Sequence, residues 1–326
     1  MTQLSKQTSR ILSMLGTCGV FGTAMCDLAE EEPDLAVVTA DLCFYSGLER
    51  FKTAHPNMLY NVGIAEQNLV GVACGLAKEG FNTYATTYAS FAATRALDQV
   101  RVGMGYMQLP LKLIGLTSGF SVGILGATHI SIEDIAIMRS IPNIVILSPA
   151  DGFETYKAIM EAFRIDRPIY IRLTGTMNNP VVYREDYEFS IGKAVPLKED
   201  GDIAVIATGT MVYQAQKAIE LLQTMNINCR LYDMHTIKPV DERFIRKLAT
   251  EVKAIITVEE HSVRGGLGSV ISEVLAQVRH KPPQCMIGAA DEYCHAASYE
   301  YLLDKYGLTA GKIADKVIKF MKEEEE

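Results

Sequence analysis

The chain has 326 residues and seven cysteines, with no Cys-x-x-Cys pair and no cysteine–histidine spacing that suits a metal. That argues against a disulfide framework or a zinc module. Cys18, Cys26, Cys43, Cys74, Cys229, Cys285 and Cys294, several of them inside apolar helix or strand patterns, read as reduced core residues of a cytoplasmic protein. No run of about eighteen uninterrupted apolar residues occurs. Met1 to Arg10 is polar where a signal peptide would be apolar, so neither membrane insertion nor a secretory leader is expected. Positive charge is also short, with 31 Lys and Arg against 39 Asp and Glu for a formal charge of −8. No Lys/Arg stripe follows any helical pattern, which argues against a broad nucleic-acid footprint. Internal repeats are missing too, and the acidic end Glu323 to Glu326 reads as a solvated tail.

What is present is alternation. Leu35 to Thr39, Thr83 to Thr87, Leu111 to Leu116, Asn143 to Leu147 and Pro168 to Leu173 are short apolar runs that predict strands. Helical periodicity falls between them, at Leu69 to Ala77, Phe91 to Met104, Ile132 to Ser140 and Gly152 to Arg164. The pattern breaks from Thr174 to Asp200 into polar, proline-containing sequence with room for one short strand. A second α/β run follows, with strands at Ile203 to Ala207, Cys229 to Met234 and Ala254 to Val258. Helices are expected at Met211 to Met225, at Asp241 to Ala249 and from Gly265 through Val278. The fold class expected is α/β, two doubly wound domains, each a mostly parallel sheet covered by helices, over 1–178 and 201–326 with a linker at 179–200.

One acid stands out. Glu66 lies in the apolar run Asn61-Val62-Gly63-Ile64-Ala65-Glu66-Gln67, between a strand and the helix from Leu69. A carboxylate is costly to bury unless something binds it, and loops at the carboxyl edge of a parallel sheet commonly hold ligands. The plainer reading is a helix N-terminal acid, worth a few tenths of a kcal/mol through the macrodipole. Tyr88 and Phe91 close a later strand and could line a flat ring or simply fill the core, with Arg95 one helical turn on. A glycine-containing loop, Gly123 to Thr128, ends in His129. Gly265-Gly266-Leu267-Gly268 reads as a tight strand-to-helix turn, and Glu259, Glu260 and His261 as a domain or subunit contact.

In this order these elements resemble the pyrimidine-binding and C-terminal domains of transketolases, particularly the C-terminal subunit of split, two-chain transketolases. The resemblance is carried by GIAEQ at Gly63 to Gln67, the Tyr88/Phe91 pair, ATH at Ala127 to His129, IED at Ile132 to Asp134 and MRSIPN at Met138 to Asn143. SPAD at Ser148 to Asp151, IYIRL at Ile169 to Leu173, HTIKPVD at His235 to Asp241 and VEEH at Val258 to His261 extend it over nearly the whole chain. It implies a thiamine diphosphate-dependent transfer of a two-carbon ketol unit. Glu66 would hydrogen-bond the aminopyrimidine nitrogen and favour the tautomer that removes the thiazolium proton. Tyr88 and Phe91 would pack on the pyrimidine, Asp41 would lie near the cofactor, and His129 would face the reacting carbonyl. The Mg²⁺ that anchors the diphosphate needs a GDG motif with a downstream asparagine, which this chain lacks; Asp200-Gly201-Asp202 reads as a solvated turn. No metal ligand is therefore assigned here. An N-terminal partner subunit is expected to supply the diphosphate and Mg²⁺ wall, in an α₂β₂ assembly built on a dimer of this chain.

Four positions depart from the family pattern. Leu125 stands where transketolases commonly carry an Asp that meets a sugar hydroxyl, Ile130 where Gln is common, Cys18 where a phosphate-binding Arg aligns, and Thr117 where a His aligns. Arg172 is the cationic substrate position that remains. Non-standard substrate specificity follows, since bidentate charge-assisted bonds carry phosphate selectivity. The alternatives are the β subunit of a 2-oxoacid dehydrogenase, a deoxyxylulose-phosphate synthase-like decarboxylating enzyme, and a non-catalytic scaffold subunit.

Overall fold

The computed structural model describes residues 5–324. Met1 to Leu4, and Glu325 and Glu326 of the expected acidic tail, lie outside them. In chain order the first half carries α1 (Lys6–Ala29), β1 (Leu35–Thr39), α2 (Glu49–Ala54), β2 (Leu59–Asn61), α3 (Glu66–Lys78), β3 (Asn82–Tyr88), α4 (Ala89–Ala93) and α5 (Leu97–Gln99). It continues through β4 (Lys112–Ser118), α6 (Asp134–Arg139), β5 (Val145–Leu147), α7 (Gly152–Phe163) and β6 (Ile169–Thr174). The second half carries β7 (Val195–Lys198), β8 (Ile203–Ala207), α8 (Met211–Thr224), β9 (Cys229–Asp233), β10 (Thr236–Lys238) and α9 (Glu242–Leu248). It closes with β11 (Ala254–Ser262), α10 (Leu267–Leu275), β12 (Gln284–Ala289), α11 (Tyr299–Lys305) and α12 (Ala310–Glu323).

Two sheets result, ordered β10-β5-β6-β4-β3-β1-β2 and β12-β11-β8-β9-β7. All pairs in the first are parallel except β10 with β5, and all in the second except β7 with β9. Strands β1, β5, β6 and β8 are buried at every residue, which is why they read as continuous apolar runs rather than alternating ones. The short strand expected in the linker is β7. β10, from the His235 to Asp241 motif, crosses back to edge the first sheet, so that motif joins the two halves rather than serving the second alone.

Several elements differ from the sequence expectation, which named no helix or strand after Val278, where β12, α11 and α12 lie, and did not name α2 or β10. The single helix over Phe91 to Met104 is broken: α4 stops at Ala93, α5 is short, and Val100–Tyr106 is π-helical. The backbone here is pressed close to its neighbours, since a Cβ on Gly103 would meet Cys74 Sγ at 2.3 Å and one on Gly105 would meet Ile141 Cγ2 at 2.5 Å. At the other end α1, unforeseen as an element, is long and apolar enough over Gln7–Ala29 to cross a membrane by length and composition. It instead kinks at Gly16 and lies along α7, burying Val20, Phe21, Ala24 and Met25.

The halves meet through buried polar groups. Glu260 accepts from Phe120 N (2.7 Å), Thr210 Oγ1 (2.6 Å) and the Tyr299 hydroxyl (2.7 Å). Tyr187 donates to Glu154 at 2.6 Å and Tyr183 to Asp233 at 2.8 Å, bringing the linker onto the seam. Glu259 accepts from Leu267 N (2.7 Å) and Gly268 N (2.8 Å), so the chain's own carboxylate fills the glycine-rich turn before α10.

Candidate active site

Strands β2, β1, β3 and β4 are parallel neighbours, so the segments that follow them gather at one edge of the first sheet. After β1 the chain turns at Asp41, a non-glycine residue with φ of 61°. Asn61 holds that turn: its Nδ2 donates to Asp41 Oδ1 (2.9 Å), while its Oδ1 accepts from Asp41 N (3.1 Å) and Gly63 N (3.0 Å). The bracket fixes the start of the Asn61–Ala65 segment that delivers Glu66 to the first turn of α3.

Glu66 is buried, and Arg95 Nη1 donates to its Oε1 at 2.9 Å. The sequence reading left the partner of this acid to another molecule. The fold corrects that: one oxygen is held within the chain, by a residue whose four-residue spacing from Phe91 was visible but carried no assigned role. Among the described residues no donor reaches Oε2. The Arg95 guanidinium also lies 4.1 Å over the Phe91 ring.

The expected aromatic and histidine groups do come together. Tyr88 and Phe91 are 5.8 Å apart edge to face, and His129 meets both, 5.2 Å from Tyr88 and 5.1 Å from Phe91. Tyr45, which the sequence did not single out, stands 6.4 Å from Tyr88. His129 ends the Gly123–Thr128 turn, with its Nδ1 2.9 Å from Thr128 Oγ1. That turn rests on the second half of the chain: Ala297 N donates to Gly123 O at 3.1 Å, and a Cβ on Gly123 would stand 2.5 Å from Ala297 O. The rim carries exposed apolar side chains, namely Phe44, Tyr45, Ile64, Ile124 and Leu125.

The substrate-side expectations divide. Cys18 and Thr117 meet, the thiol bonding to the Thr117 backbone, and burial pushes that thiol up to about 11. Thr117 adopts φ of 50°, Leu125 lies exposed on the His129 turn, and Ile130 is buried behind it. Arg172 is not at this edge in any usable sense. Its guanidinium is 1% exposed and spent on Asp134 (2.9 Å), Thr174 Oγ1 (3.0 Å) and Glu260 O (2.7 Å). It is a structural ion pair in the seam, and its expected role as a substrate cation is corrected accordingly. The sequence could not show this because Asp134 lies 38 residues away, in a motif read for resemblance alone.

A carboxylate with one oxygen unclaimed, a pair of aromatic rings and a histidine at their edge form a half-site suited to a flat heteroaromatic ring carrying hydrogen-bonding nitrogen. These residues fit an aminopyrimidine. Among the described residues, no group of three or more His, Cys, Asp or Glu side chains is placed to hold a metal ion. A cavity of ≈ 560 Å³ beside the linker, lined by Tyr183, Tyr187, Tyr213 and Lys217 among others, contains none of the site residues.

Comparison with known proteins adds the lineage. Residues 13–178 match the transketolase pyrimidine-binding domain and residues 192–313 the transketolase C-terminal domain. The chain is 38% identical over 304 residues to an apulose-4-phosphate transketolase subunit of Phocaeicola vulgatus, covering 93% of this chain and 96% of that one. It is 35% identical over 291 residues to a 6-deoxy-6-sulfo-D-fructose transketolase subunit of a Clostridium species, covering 89% of each. Among solved structures, a split-gene transketolase described as an inactive β4 tetramer superposes with a TM-score of 0.84 at 37% identity, over 93% of this chain and 97% of that one. The chain belongs to the transketolase family and carries its pyrimidine-binding and C-terminal domains.

Proposed function

We propose that this chain is the C-terminal subunit of a two-chain, thiamine diphosphate-dependent transketolase that moves a two-carbon ketol unit and is active only with an N-terminal partner. Family membership implies the cofactor, and relatives named as transketolase subunits imply the partner. The observation that carries the reading is the half-site: a buried carboxylate beside two aromatic rings and a histidine, at an edge rimmed by exposed apolar side chains. Such a rim is expected where a second chain covers it. Thiamine diphosphate, when bound, supplies the nucleophilic carbon for the two-carbon transfer. Glu66 offers its second oxygen to the pyrimidine nitrogen, Tyr88 and Phe91 shield that contact from water, and Asp41 keeps the delivering segment in place. His129 is suited to donate and recover a proton at the substrate carbonyl oxygen, with its tautomer steadied by Thr128. The partner would contribute the diphosphate wall and Mg²⁺, and pairing of two copies of this chain would complete an α₂β₂ enzyme.

For the substrate we infer a departure from ordinary phosphosugars. Cys18, Thr117 and Leu125 provide neither cation nor carboxylate, and Arg172 is committed to Asp134. The named relatives act on a 4-phosphate and on a sulfonated sugar. An anionic end group on a comparable substrate here would have to meet other cations, of this chain or of the partner chain. The test is to mix the chain with its partner, thiamine diphosphate and Mg²⁺, and offer ketoses or pyruvate separately. Transfer from a ketose without carbon dioxide is expected; carbon dioxide from pyruvate would move the reading to the decarboxylating alternatives.

A further inference from the structure

We propose that Arg95 is a positioning residue for Glu66, holding one carboxylate oxygen so that the other stays aimed at the aminopyrimidine. The inference rests on the thiamine diphosphate reading of the site, but its geometry belongs to this chain. The Glu66 side chain is 3% exposed and that of Arg95 44%, so a buried acid is gripped by a side chain reaching in from the surface. An exposed ion pair alone would order such a chain weakly. Here the guanidinium has a second anchor, the Phe91 ring face, with its Cζ 4.1 Å from the ring centroid.

The grip is one-sided. Nη1 reaches Oε1, and among the described residues Oε2 is left without a donor. A bidentate clasp would have engaged both oxygens and left fewer acceptor sites facing a ligand. Phe91 in turn carries His129 at its edge, 5.1 Å away, so Arg95 ties the acid, an aromatic ring and the histidine into one unit. Arg95 sits in the break between α4 and α5, the same interruption that the apolar periodicity of Phe91 to Met104 did not reveal.

The test uses the reconstituted two-chain complex with thiamine diphosphate and Mg²⁺, comparing Arg95→Met, Arg95→Lys and Glu66→Gln. Two quantities are read besides turnover: cofactor affinity by calorimetry, and hydrogen–deuterium exchange at the acidic thiazolium carbon by NMR. Arg95→Met should slow that exchange about tenfold or more, because a misaimed group loses effective concentration steeply, while cofactor affinity changes little. Arg95→Lys should restore part of the rate, since an ammonium can hold the oxygen but lacks the planar stack. Exchange at the wild-type rate in Arg95→Met overturns the proposal, as does a loss of affinity with normal exchange. If Glu66→Gln also exchanges normally, the reading of the site itself fails. Slow exchange in Glu66→Gln with normal exchange in Arg95→Met removes Arg95 alone.

Discussion

Replacing Arg172 by Met separates a structural cation from a substrate cation. Asp134 is fully buried, and its donors are Arg172 Nε and the Tyr170 hydroxyl at 2.9 Å. Removing the guanidinium leaves a buried carboxylate with one neutral donor, and breaking such a pair costs about 3–5 kcal/mol. Because Tyr170 remains, the lower end is expected, about 3 kcal/mol. With a urea slope of about 3 kcal/mol/M for a chain of this size, the unfolding midpoint should fall by about 1 M. Adding Asp134→Asn should recover about 1–2 kcal/mol, since no unpaired charge then stays buried. Urea titration of the isolated chain followed by circular dichroism measures both. A loss below about 1 kcal/mol, with weaker binding of an anionic substrate in the reconstituted enzyme, would refute the assignment and return Arg172 to the substrate.

Glu66→Gln should leave the unfolding free energy of the chain within about 0.5 kcal/mol of wild type after allowing for the lost Arg95 pair, while abolishing turnover of the reconstituted complex; near-normal turnover would remove Glu66 from the chemistry. Burial pushes the Glu154 carboxyl from 4.5 up to about 7; the Tyr187 hydroxyl, the Ala150 N–H and a hydrogen bond with Asp233 oppose the rise, and the charge of Asp151 adds to it. The native state therefore keeps a proton that the unfolded chain releases, so this group's contribution is complete below pH 4.5 and is lost as pH rises through about 7. Glu154→Gln should flatten that part of the stability profile, a difference on the order of 3 kcal/mol, and denaturant titrations across the window would show an unchanged slope if the reasoning is wrong.

Much of the fold was legible because parallel strands covered on both faces leave unbroken apolar runs, as in Leu35 to Thr39 and Ile203 to Ala207. The break after Ala93 and the π-helical turn at Val100–Tyr106 were not, since close approaches such as those at Gly103 and Gly105 are tertiary and periodicity carries no record of what lies opposite. The candidate site divides the same way. Glu66 could be found because an acid among apolar residues is conspicuous locally, whereas the pairing of Arg172 with Asp134 depends on tertiary contact. Arg95 lies between these cases: its spacing from Phe91 was written in the chain, but its contact with Glu66 spans 29 residues.

The central claim is that this chain furnishes one wall of a shared cofactor site. Calorimetric titration of thiamine diphosphate with Mg²⁺, into the chain alone and then into an equimolar mixture with the N-terminal partner, tests it most directly. Saturable binding in the mixture and weak or no binding to the chain alone is the predicted result. Tight, Mg²⁺-dependent binding to the isolated chain would contradict it.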